Sequence, residues 1–153
     1  MGTRPAELSE ETAALVYRAV RHYRREAYKC QEAKAHLAGA VMATAALEGA
    51  LLAFANVYLE EVPDAALPMR RGGAKELLEW TLADLLGVAK KCKWLPVGLE
   101  KGQKWSTRSA KLGDYAEAAR EVRNLVHTGR HVQDLPRQRV SARQLSLCMV
   151  VSW

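Results

Sequence analysis

Between Leu37 and Leu59 the chain carries one charged residue, Glu48, among Ala, Gly, Leu, Val, Met and Phe. About twenty apolar residues span a bilayer, so the stretch must first be weighed as a membrane helix. Its many alanines, with Gly39 and Gly49, make it weakly hydrophobic, and a central carboxylate costs about 3 kcal/mol on insertion scales. The expected form is therefore the buried central helix of a soluble bundle, with no membrane partner. Gly39, Ala40, Ala43 and Ala46 would let other helices approach closely. A carboxylate in such a helix is tolerated when it is paired and hydrogen-bonded, so Glu48 calls for an arginine from another helix.

The segment before it is amphipathic. Ser9 followed by Glu10, Glu11 and Thr12 reads as a cap with carboxylates in the positive first turn, opening a helix that runs to about Glu32. Val16, Val20, Tyr23, Ala27 and Cys30 fall on one side, and Arg18, Arg21, His22, Arg25 and Lys29 on the other. The second side can track phosphates or simply be solvated. A net charge of +6 favours anionic partners, nucleic acid first.

Pro63, Pro68 and Gly72-Gly73 mark a loop, after which Leu77, Leu78, Thr81, Leu82, Leu85, Leu86 and Ala89 form one helical stripe ending by Trp94-Leu95-Pro96. Residues 97–113, which hold Trp105, read as a second loop. Asp134 to Arg139 reads as a third, basic one. Ser141 caps a last apolar segment, Leu145 to Trp153, that is either a short helix or a strand. Strand signal is otherwise nearly absent, no linker separates two domains, and the expectation is a single all-α domain over residues 1–153. Cys30, Cys92 and Cys148 are an odd number with neither disulfide nor zinc spacing, which fits a reducing, cytoplasmic compartment. Residues 1–7 lack the apolar run of a signal peptide.

The polar cluster that asks for a function lies at Arg123-Asn124-Leu125-Val126-His127-Thr128-Gly129-Arg130-His131. Asp114 caps a helix of roughly 115–128, and Gly129 stops it. Arg123 and His127, four apart, share a face with Ala116, Ala119 and Arg120. A metal-independent ribonuclease needs a base near the ribose 2′-hydroxyl and a cation for the phosphate, and His127 with Arg123 can supply both. The same residues can be structural, with Arg123 (or Arg120) paired to Glu48, Asn124 bonded to backbone and His127 closing the helix. No phosphate loop or metal spacing is present, so neither a metal nor a cofactor is expected. The two densest basic stretches are Arg18, Arg21, Arg25 and Lys29, and Arg130, His131, Arg137 and Arg139. Neither reads as interleaved with the aromatics that stack on bases.

The phrase Cys30-Gln31-Glu32-Ala33-Lys34-Ala35-His36-Leu37-Ala38-Gly39-Ala40-Val41, followed by Ala46-Leu47-Glu48, Lys93-Trp94-Leu95-Pro96 and Val122 to Arg130, resembles a mostly uncharacterised group of small bacterial helical proteins that share an "ALE" helix and an "RNLxHPGR" helix end. That group is similar to the HEPN superfamily of helical bundles, found in RNases of toxin–antitoxin, CRISPR and abortive-infection systems and in nucleotidyltransferase partners. The resemblance covers most of residues 11 to 150. It implies a bundle of four to five helices, a homodimer with a shared basic cleft, and RNA binding or cleavage in bacterial defence. Two departures stand beside it. Only two residues separate Asn124 from His127 where HEPN ribonucleases have four to six, and counting from Arg120 restores six but places Glu121 after the arginine. Thr128 also stands where the group often has proline. The alternative is a non-enzymatic module for a cognate protein partner, in which the Arg-Asn-x-x-His motif holds the bundle together.

Overall fold

The computed structural model describes residues 4–94 together with Leu145, Ser146 and Met149, and it is helical. Helix α1, Glu10–Glu32, starts where the Ser9 hydroxyl accepts the Thr12 amide at 3.2 Å, with Glu10 and Glu11 in its first turn, as the sequence predicts. It closes in a Schellman arrangement: the Ala35 amide donates to the Cys30 carbonyl at 2.8 Å and the Lys34 amide to Gln31 at 3.1 Å. Lys34 takes the left-handed conformation, φ 57°, that this closure requires. The turn is tight enough to send α2, His36–Val57, straight back along α1.

Small residues set the distance between the two. A Cβ placed on Gly49 would lie 2.6 Å from Val20 Cγ2, so α1 rests on α2 backbone there. One on Gly39 would lie 2.9 Å from both methyls of Leu145 and 3.1 Å from Cys30 Cβ, so the helical segment carrying Leu145 and Met149 rests on the other end of α2. Ala27, Ala40, Ala43, Leu47, Leu82, Leu86, Leu145 and Met149 form one buried cluster around this contact. By length and composition α2 could cross a membrane, with a mean hydropathy of 1.8 over its most apolar window. It is nonetheless the helix on which both core clusters gather. It is not enclosed all round: in its last turns Phe54 and Val57 are 42% and 70% exposed.

The stretch expected to be a loop is instead packed. Two 3-10 turns, Leu59–Glu61 and Asp64–Ala66, and a hairpin of β1, Met69–Arg70, with antiparallel β2, Gly73–Ala74, lead into a third 3-10 turn, Leu77–Glu79. Leu59, Val62, Ala66, Leu67, Leu77 and Trp80 pack on Ala55, Leu85 and Val88 as a second core cluster. Arg4 fastens the N-terminal segment to it, donating to the Leu59 and Val62 carbonyls at 2.8 Å and pairing with Asp64.

The single helix expected from Leu77 to Ala89 is also broken. Trp80 and Thr81 are extended, and α3 runs Leu82–Lys91. Two capping boxes in succession, Glu76 with Glu79 and Thr81 with Asp84, open the two pieces separately. The break lets the Trp80 indole N–H reach the Lys75 carbonyl at 3.0 Å while its ring enters the core.

Two glycines in helices should respond oppositely to alanine. Gly87 has nothing within 4 Å of an added Cβ, so Gly87→Ala should gain about 1 kcal/mol of stability from helix propensity. Gly49→Ala meets Val20, a stiff β-branched side chain, and should lose about 1–2 kcal/mol net in urea unfolding.

Asp84 gives a pH test. Burial alone would raise its carboxyl, but hydrogen bonds from Lys75 at 2.7 Å and from Thr81 outweigh burial and hold it below its ordinary 3.8. A depressed carboxylate contributes stability that is complete above the unfolded value and lost as pH falls through the folded one. Asp84→Asn should therefore be about 1 kcal/mol less stable than the parent near neutrality. The two should converge below pH 3.8 in the same unfolding experiment.

Candidate nucleic-acid interface

Because α1 sinks Val16, Val20, Ala27 and Cys30 toward α2, its opposite side must face solvent. Arg18, Arg21, Arg25 and Lys29, spaced three, four and four residues apart, lie along that side and are all exposed, as is His22. The sequence brought these four together correctly. Lys29 is bonded to Glu26 at 2.7 Å, and that hydrogen bond, opposed by desolvation and aided by the Lys29 charge, lowers the Glu26 carboxyl. Arg18, Arg21 and Arg25 make no ion pair with any described residue. Of these three guanidiniums, which stand within two turns of helix, Arg25 also helps to lower the neighbouring Glu26 carboxyl, and none is in an ion pair with a described residue.

The reading that aromatics do not interleave with this stretch is corrected by the structure. Tyr28 is 44% exposed, and with Arg21, Arg24 and Arg25 it lines one shallow depression. Tyr23, placed by periodicity on the apolar side, lines the groove between α1 and α2, with its ring 5.8 Å from that of His22. Tyr17 is 62% exposed. The available signal was the spacing from Tyr17 through Arg21 and Arg24 to Tyr28, which keeps one azimuth over three turns.

Glu48 is half-buried in a groove between α1 and α2, beside Val16, Ala19, Val20, Tyr23, Ala45, Gly49 and Leu52. It takes part in a polar interaction there. Arg120, Arg123, Asn124 and His127, with Arg130, His131, Arg137 and Arg139, lie outside the described residues, as does the Ala116 and Ala119 face expected to dimerise. Among the described residues no group of three or more His, Cys, Asp or Glu is placed to hold a metal ion. Burial, and then the charge of Glu61, pushes the Cys92 thiol upward, so it is protonated and a poor nucleophile near neutrality. Compared with known proteins, the chain matches no family model, no curated protein and no solved structure.

Removing the Glu48 carboxylate should strand its polar partner. Glu48→Ala is expected to lower stability by about 1–3 kcal/mol, and Glu48→Gln, which keeps an acceptor, by less. Urea midpoints that do not move with either change would contradict this role.

Proposed function

We propose that this helical protein is a cytoplasmic RNA-binding domain of a four- to five-helix, HEPN-like bundle, acting in a bacterial defence or toxin–antitoxin setting. The observation that carries the proposal is the exposed row of Arg18, Arg21 and Arg25, none of them in an ion pair with a described residue, on a helix whose other side is committed to the core. Clustered cations of this kind bind phosphates by releasing counterions, which is independent of sequence. Tyr28, beside Arg21, Arg24 and Arg25, adds a ring face on which an unpaired base can stack. Arg130, His131, Arg137 and Arg139 extend the same chemistry on sequence grounds.

Cleavage is a separate step of the proposal and rests on the sequence motif. His127 would take the 2′-hydroxyl proton and Arg123, with Arg120 and Asn124, would bind the phosphate, without a metal or cofactor. A second reading, a non-enzymatic protein-interaction module, is favoured by a different observation: Tyr17, Phe54 and Val57 present an exposed apolar surface.

The test is fluorescence anisotropy with labelled single-stranded RNA across a salt series. Affinity should fall with a logarithmic slope of about −0.7 per phosphate neutralised. Arg21→Ala with Arg25→Ala should weaken all sequences alike and flatten the slope, and Tyr28→Ala should weaken single strands more than duplex. His127→Ala should leave affinity intact and abolish any cleavage of the same RNA. RNA that is not retained at low salt, or retention indifferent to salt and to the arginines, would overturn the proposal and leave the protein-interaction reading.

A further inference from the structure

The depression that Tyr28 shares with Arg21, Arg24 and Arg25 has a volume of about 320 Å³, at the low end of what a small-molecule site encloses. It has room for one nucleotide unit. Arg21 and Arg25 are one turn apart on α1, and Tyr28 follows Arg24 by four residues and Arg25 by three, so all four side chains open onto the same spot. Arg24 and Tyr28 each take part in an interaction already. The charge of the site therefore rests first on Arg21 and Arg25, which are in no ion pair with a described residue. Like charges one turn apart repel, and a helix that gathers guanidiniums in this way gains when an anion joins them.

The anion that fits best is one more highly charged than the interior of a strand presents. A phosphodiester inside RNA carries one negative charge, whereas a terminal phosphate monoester carries about 1.5 to 2 near neutrality and has three acceptor oxygens. Guanidinium forks take such oxygens in pairs. The row of cations on α1 also stops here. Beyond Tyr28 within the helix, Lys29 is bonded to Glu26 and Glu32 follows. In the other direction Arg18 lies seven residues from Arg25, about 10 Å along the axis. A strand that places its end phosphate among Arg21, Arg24 and Arg25 can lay its end base on Tyr28 and run its next phosphates toward Arg18. We infer that the depression binds the phosphorylated end of single-stranded RNA, its arginines holding a terminal phosphate monoester and Tyr28 stacking on the adjoining unpaired base. This names the substrate of the RNA-binding proposal more narrowly and rests on that proposal.

Fluorescence anisotropy of the full chain tests it, with one internally labelled single-stranded RNA carrying a 5′-phosphate, a 3′-phosphate, or hydroxyls at both ends. A phosphorylated end should bind about tenfold tighter than the hydroxyl form, the equivalent of one added charge-assisted hydrogen bond, and the two monophosphates show which end is read. The advantage should be full above the second phosphate pKa of about 6 and shrink as pH falls through it, where the monoester loses its second charge. Arg25→Gln should narrow the advantage, whereas Arg18→Gln, outside the depression, should weaken both forms alike and keep their ratio. Adenosine 5′-monophosphate should displace the phosphorylated RNA better than inorganic phosphate at equal concentration and ionic strength, and Tyr28→Ala should remove that difference. Equal affinity for phosphorylated and hydroxyl ends, with RNA still bound and still sensitive to Arg21 and Arg25, would overturn the inference and leave the RNA-binding proposal standing. An end preference unchanged in Arg25→Gln would overturn it as well. RNA that is not retained at low salt in any of the three forms takes both down.

Discussion

Where α1 crosses α2, Val20 lies against Gly49 so closely that no side chain of any size fits between them. The apolar character of α2 comes from small residues as much as large ones, and a helix built this way binds neighbours by close backbone approach and dispersion. Once α1 is drawn that near, its polarity is fixed: Ala27 is fully buried, and the arginines one half-turn away have nowhere to go but solvent. At the far end Gly39 receives Leu145 by the same device, which brings a distant part of the chain onto the same helix. Both the basic row and the exposed apolar surface at Phe54 and Val57 follow from this packing. The row is the side of α1 that the contact leaves out, and the apolar surface lies on the length of α2 that Leu145 does not reach.

Much of this was legible where a single periodicity governed a long segment. The start of α1 at Ser9, its end near Glu32 and its outward arginines could be read directly, because cap chemistry and the 3.6-residue period agreed. Residues 59 to 81 could not. Prolines and paired glycines signal turns but do not say whether the turns are packed, and Leu59, Val62 and Leu77 enter the core at spacings that match neither helix nor strand. The stripe from Leu77 to Ala89 misled because it is apolar at helical spacing on both sides of a break. The information was in the two successive capping boxes, Glu76 with Glu79 and Thr81 with Asp84. Lys34 and Lys93 take positive φ where glycine is the usual signal, so the left-handed closure of these helix ends carries no glycine mark in the sequence, although the period shows roughly where they fall. Tyr28 was passed over because an aromatic in an amphipathic helix is first assigned to the core, although its azimuth lies with Arg21 and Arg24.

The polar motif from Arg123 to His131 and the α1 row are distinct in kind. Chemistry needs a base and a cation held in fixed geometry, whereas phosphate binding needs only enough positive charge that the protein does not neutralise itself. The second requirement is visible in Arg18, Arg21 and Arg25, and it carries the functional account whichever role the motif plays. On the same helix Lys29 shares its charge with Glu26.

The proposed binding along α1 is tested directly by arginine footprinting with phenylglyoxal, followed by mass spectrometry, with and without single-stranded RNA. The account predicts that RNA shields Arg18, Arg21 and Arg25, while the exposed Arg70 and Arg71 of the hairpin label as before. Unchanged labelling of α1 in the presence of bound RNA, or shielding confined to Arg70 and Arg71, would contradict it.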